Sequence, residues 1–230
     1  MRIAKFLADT GAAPSRRAAE QMIADGRVAV NGAVLISPAF NISDADKISV
    51  NGKILTANHQ LPTTIFAFHK PAGVMTTASD PAGRKTIYDI LPQKYHNLKY
   101  IGRLDFNTSG LLLLTNSGEL ARKMTLPSAQ IPRVYIAKLG RAWTMDDEMF
   151  NRITKKIRTG ITVDGIHYRP MKLRRINASD TEITITEGKK NEIRLVFDSV
   201  GLPVRKLHRV SYGDIELGDL AVGNIRECKV

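Results

Sequence analysis

Apolar positions recur along the chain in two textures. In residues 1–54, Ile3, Phe6 and Leu7 fall at helical spacing ahead of Gly11, and Ala19, Met22 and Ile23 share one face of SRRAAEQMIADG. Ser15 can cap that second helix and Gly26 can close it. The period then shortens to two: RVAV, a turn at Asn31-Gly32, AVLI, and DKISVNGKIL with a second turn at Asn51-Gly52. Residues 55–64, LTANHQLPTT, have no period and read as a linker. From Ile65 onward the segments IFAFHK, YIGRLD, GLLLLT, RVYIAKLG, ITVDGIHY, MKLRRIN and TEITITEG read as strands, with VRKLHRVSYG as the last of them. SGELARKMT reads as a short helix. Thr144 starts another, with Asp147 three residues on in a capping-box pattern and Phe150, Ile153 and Ile157 on one face. NEIRLVFDSVG places Ile193, Val196, Phe197 and Val200 on one helical face and ends at Gly201. Strands outnumber short helices and do not alternate with them, so the class is α+β.

Charge changes this picture. Lys plus Arg is 34 against 22 for Asp plus Glu, a net charge of +12, which favours a polyanionic partner. Residues 1–60 hold seven basic and five acidic side chains, so most of the excess lies beyond them. Within 188–210, Lys189, Lys190, Arg194, Arg205, Lys206 and Arg209 face only Glu192 and Asp198. A second basic cluster spans 133–158, so a groove for a phosphate backbone competes with an ordinary solvated surface. Composition also excludes chemistry. The single cysteine, Cys228, rules out an internal disulfide and a multi-cysteine zinc site. No metal-ligand spacing, Walker loop, GxGxxG or hydrolase elbow is present, so no metal or cofactor is expected. No apolar run approaches ~18 residues, and MRIAKFLADTG lacks the apolar core of a signal peptide. A cytoplasmic protein with no membrane partner is the expectation.

In the N-terminal segment, Arg16 and Arg17 fall in the first turn of the second helix. Arginines there oppose the helix dipole, so a phosphate site competes with a plain charged face. Two short helices, RVAVNG and a small strand ending DKISVNG resemble, in that order, the S4 RNA-binding domain over residues 1–54. The resemblance implies that Lys5, Arg16, Arg17 and Arg27 face RNA.

Further on, YIGRLDFNTSGLLLLT sets Asp105 beside Arg103 in a short polar turn. Taken alone, Asp105 equally fits an Asx-turn. Tyr135 in RVY fits a half-buried strand tyrosine, and Arg194 fits a snorkelling arginine at the edge of its helix. The longer strings carry more. GRLD-x-x-T-x-GLLLLT, Arg133-Val134-Tyr135, EGKKNEIR and RKLHRVSYG resemble the motifs of pseudouridine synthases of the RsuA/RluB type, with HKPAG similar to their K-P-x-G segment. That family implies Asp105 as the catalytic residue, Tyr135 against the target base and Arg194 paired with Asp105. Arg103, Arg133, Lys189, Lys190, Arg205 and Arg209 join the RNA-binding set. One departure stands out: the arginine that often follows Arg194 is Leu195 here, and Lys189 and Lys190 stand as its replacements.

The resemblance therefore implies an S4-like domain (1–54), a linker (55–64) and a catalytic domain with a mixed, mainly antiparallel sheet (65–230). The implied activity is conversion of a uridine in ribosomal RNA, of the large (23S) subunit, to pseudouridine. The substrate is rRNA or an assembly intermediate, no protein partner is implied, and the protein is a monomer. A carboxylate can serve as nucleophile, as stabiliser of positive charge at C1′ or as base, and the sequence leaves these open. The competing reading is a non-catalytic S4-bearing ribosome-assembly protein. An S4-bearing methyltransferase is disfavoured by the lack of a glycine-rich cofactor loop.

Overall fold

The computed structural model describes residues 1–43, 45–55, 62–140 and 144–228. Most of the expected linker, residues 56–61, lies outside the described residues, and Leu55 is the last residue of a strand. The chain divides into two compact units: Met1–Thr64 with Asn116–Gly118, and Ile65–Thr115 with Glu119–Val230.

The first unit opens with α1 (Ile3–Asp9) and α2 (Arg16–Ala24). Ser15 caps α2 by accepting from the Ala18 N–H at 3.1 Å. Four short strands follow: β1 (Val28–Val30), β2 (Ala33–Val34), β3 (Ile48–Val50) and β4 (Lys53–Leu55). They form an antiparallel sheet in the order β2-β1-β3-β4. Asn31-Gly32 and Asn51-Gly52 make its tight turns with all four residues at positive φ. Ile3, Leu7, Ala19 and Ile23 from the helices pack with Val28, Val30 and Ile48 from the strands.

The second unit contains β5 (Ile65–Lys70), β6 (Lys99–Ile101), β7 (Thr108–Thr115), α3 (Gly118–Thr125) and β8 (Arg133–Leu139). Then come α4 (Asp147–Thr159), β9 (Ile161–Val163), β10 (Ile166–Tyr168), β11 (Lys172–Arg175) and β12 (Asp180–Ile185). It ends with α5 (Glu192–Ser199), β13 (Val204–Tyr212), β14 (Ile215–Glu216) and β15 (Ile225–Cys228). Nine of these strands form one sheet along the path β11-β12-β8-β13-β7-β5-β15, with β14 on β13 and β6 on β7. Among them only β13 and β7 run parallel, so the sheet is mixed and mainly antiparallel. The unbroken apolar run of β7 follows from its central place. Leu112 and Leu114 enter a core on one face and Leu111 and Leu113 a core on the other.

Four local readings change. ITVDGIHY is not one strand but the hairpin β9–β10, turned at Asp164-Gly165, both at positive φ. α4 is capped by Asp146, whose carboxylate accepts from the Met149 N–H at 2.7 Å, and not by Thr144. The strand read into YIGRLD stops at Ile101, leaving GRLD in a loop. VRKLHRVSYG is not the last strand, since β15 returns to pair with β5.

Candidate active site

The loop at 102–107 leaves β6 at Gly102, whose φ is +67°, and re-enters the sheet at β7. It is held by its backbone. The Thr76 hydroxyl donates to the Leu104 carbonyl at 2.8 Å, and the Gly73 N–H donates to the Phe106 carbonyl at 2.8 Å. Beneath it lies Lys70, the fully buried last residue of β5. Its ammonium donates to the carbonyls of Pro71 at 3.0 Å, Asp105 at 3.2 Å and Thr108 at 2.8 Å, which uses all three of its protons. Burial pulls the Lys70 pKa down to about 8, against the attraction of Asp105 and with added repulsion from Arg209. The Asp105 carboxylate itself is half-buried and has no hydrogen bond or ion pair among the described residues. The fold thus fixes the aspartate by its main chain and leaves its carboxylate available.

Asp105 lines a cleft of about 210 Å³ together with Arg103, Tyr135, Lys189, Lys190 and Arg194, over an apolar floor of Leu104, Ile185, Ile193 and Leu207. Six of the residues picked from sequence therefore meet at one place, from β8, α5 and two loops. Tyr135 is 7% exposed, and its hydroxyl oxygen accepts from Arg209 Nη1 at 3.4 Å. Arg194 departs from its expected pairing. It donates to the carbonyls of Val204 at 2.9 Å and Asn107 at 3.0 Å, so its planar fork ties the Asp105 loop to β13. Its Nε is buried without a partner. Burial lowers the Arg194 pKa while the charge of Asp105 opposes that, so the two residues sense each other without forming an ion pair.

Two expected RNA-facing residues are interior. Arg209 is 1% exposed, donates from Nε to the Leu111 carbonyl at 2.7 Å and lies against the rings of Tyr135 and Tyr212. Arg133 is 8% exposed and donates to the Tyr212 hydroxyl at 2.9 Å. Both guanidinium groups donate to internal acceptors, with Arg209 Nη2 buried without a partner, and the two residues wall a second recess of about 240 Å³ beside the cleft. Arg103, Lys189, Lys190 and Arg205 are exposed, and so is Leu195. In the first unit Arg16, Arg17 and Arg27 are exposed, Arg27 donating to the Asn51 side chain at 3.0 Å, and Lys5 is half-buried. Among the described residues no group of three or more His, Cys, Asp or Glu side chains is placed to hold a metal ion.

The sequence reading missed Lys70 and Glu192. The lysine of the K-P-x-G segment, closing the apolar strand IFAFHK, was the available signal for the first. For the second it was the inner glutamate of EGKKNEIR.

Residues 64–199 match the family model described as RNA pseudouridylate synthase, and residues 1–48 match the S4 domain. An uncharacterised RNA pseudouridine synthase of Rickettsia typhi is 39% identical, over 98% of this chain and 90% of that protein. Ribosomal large subunit pseudouridine synthase B of Bacillus subtilis is 35% identical, over 98% of this chain and 91% of that protein. A crystal structure of a pseudouridylate synthase superposes with a TM-score of 0.68 at 27% identity, covering 100% of this chain and 96% of that one.

Proposed function

Since the chain belongs to the RNA pseudouridylate synthase family and carries an S4 domain, we propose that it isomerises a specific uridine of large-subunit ribosomal RNA, with Asp105 as its catalytic residue. The large subunit enters through the name of the Bacillus subtilis relative, a ribosomal large subunit pseudouridine synthase. Residues 1–54 dock the RNA, 55–64 link and 65–230 catalyse. The enzyme works as a monomer in the cytoplasm, on free rRNA or an assembly intermediate.

The reaction breaks the N1–C1′ bond of the uridine, turns the base and joins C5 to C1′. The proton leaves C5 for solvent and N1 regains one, so nothing is oxidised and no energy donor is consumed. The target base must leave its stack, at a cost of a few kcal/mol. Contacts of Arg103, Lys189 and Lys190 with phosphates offset that cost, and Tyr135 supplies a flat apolar surface for the extruded base. Asp105 acts at C1′ or on the base, and Arg194 holds the loop that carries it. The observation that supports this most is the half-exposed Asp105 carboxylate, left unpaired in the cleft while Lys70 grips its backbone.

The test is tritium release from unmodified rRNA labelled at uridine C5. Wild type should release tritium, while Asp105→Asn should release none and still bind the RNA. Full release by Asp105→Asn would remove Asp105 from the chemistry. No release from wild type on naked rRNA or on assembly intermediates would refute the synthase reading.

A further inference from the structure

Residues 186–191 join β12 to α5 and wall the cleft with Gly188, Lys189, Lys190 and Asn191. This wall is held by the two carboxyl groups of the EGKKNEIR string, Glu187 and Glu192. Glu192, the first residue of α5, is 3% exposed, and its Oε2 accepts from the Lys189 N–H at 2.9 Å. Its Oε1 is fully buried and meets no donor. The neighbouring group is Glu187, within hydrogen-bonding reach of Glu192. Glu187 accepts from the Arg169 N–H at 2.8 Å and from the Lys189 ammonium. Lys189 in turn donates to the His167 carbonyl at 3.0 Å and lies over the Tyr168 ring, which anchors the wall to β10.

Two ionised carboxylates here would repel each other, with Glu192 buried away from solvent. One proton resolves both problems: it removes a charge, and it turns the orphaned Oε1 into a donor. We propose that Glu192 is a positioning residue that carries this proton, donates it in a hydrogen bond to Glu187, and so clamps residues 186–191 in the shape that presents Lys189 and Lys190 to the RNA strand. This rests on the synthase reading for its ligand only; the clamp itself is a property of the free protein.

The charges around the pair agree on which partner holds the proton. Burial pushes Glu192 up to about 7, with the Lys189 N–H pulling down and Glu187 adding to the rise. Burial also pushes on Glu187, but the Arg169 N–H, the Lys189 ammonium and the Glu192 donor outweigh it and hold Glu187 low. Arg194, farther along α5, and Asp105 face the same cleft. An RNA strand adds negative charge and favours the protonated form further. The clamped wall binds the proton with a pKa of about 7, whereas a released Glu192 has the ordinary 4.5. The clamp is therefore fully favoured below the lower value, weakens as pH rises between the two, and stays weakened above.

The experiment pairs a pH profile of tritium release with a carbon-13 titration of the glutamate carboxyls in the full chain. Wild-type kcat/KM should fall as pH rises from 4.5 to about 7 and level off above it. Glu192→Gln donates an N–H at every pH, so the fall over this window should disappear. In the free wild-type protein one glutamate carboxyl should titrate at about 7, the amide signals of residues 186–191 should move with it, and Glu192→Gln should lack it. A fall between pH 4.5 and about 7 that persists in Glu192→Gln overturns the proposal. So does the absence of such a carboxyl, or a titration that leaves the amides of 186–191 unmoved. If wild type releases no tritium at any pH, the substrate reading fails, and the carboxyl and amide titration still decides the clamp.

Discussion

Lys70 shows how much one buried side chain can decide. Its three hydrogen bonds converge on the carbonyls around Asp105. Lys70→Met keeps the length and apolar stem but leaves those carbonyls unpaired, each worth ~1–3 kcal/mol when buried. The relief of an interior charge offsets part of this, so a net loss of about 3 kcal/mol is expected in urea unfolding, with a matching drop in turnover. The pH dependence has a definite sign. The folded protein holds Lys70 at about 8 and the unfolded chain at 10.5, so between these values the unfolded chain binds more protons. The cost of burying the charge is complete below the lower value and is relieved as pH rises through the window. The stability difference between wild type and Lys70→Met should therefore climb across it, and a flat difference would exclude this role. At this scale, sequence named Asp105, Tyr135 and Arg194, which line one cleft, but it paired Arg194 with Asp105 and set Arg133 and Arg209 against RNA, whereas all three donate to internal acceptors. The direction of a guanidinium fork depends on carbonyls from distant strands, such as Leu111 and Val204.

At the scale of elements, the parallel pair β7–β13 holds the cleft together. Gly110 lies opposite Arg209, its φ is +105°, and a Cβ added there would overlap the Arg209 backbone. Gly110→Ala must push the two strands apart or break their register, in addition to the penalty of a positive φ. The expected cost is about 3 kcal/mol or more, read as a fall in Tm, with activity reduced because both Asp105 and Arg209 ride on this junction. A variant of unchanged stability would mean that the strands separate without penalty. Most elements were readable from period and turn residues, as α2 shows with Ser15 before it and Gly26 after it. The failures were local competitions. The Asp164-Gly165 turn signal was overridden by the β-rich residues on either side, and Thr144 was preferred to Asp146, although a carboxylate accepts a helix N–H at least as well. IREC was overlooked because four residues carry too little pattern to mark a strand until β5 lies beside them.

For the whole molecule, the excess of positive charge is a statement about affinity for a polyanion. Arg16 and Arg17 are exposed at the N-terminus of α2, where they do nothing for the helix dipole. If each neutralises one RNA phosphate, replacing both with Ala weakens rRNA binding and reduces the slope of log K against log salt by about two. Filter binding across a salt series measures this, and an unchanged slope would free both arginines from phosphate contact. The sequence alone determined the α+β class, the two textures of the chain, the basic excess and the family. These depend on local period, on turn residues and on strings such as GRLD and EGKKNEIR, all of which survive without any contact between distant segments. Tertiary structure alone decided that Lys70 grips the loop of Asp105, that Arg209 is interior between two tyrosines, and that Glu187 and Glu192 share a buried corner. Burial and hydrogen-bond partners are set by residues far apart in sequence, and the free energy of a charged or polar group depends first on those.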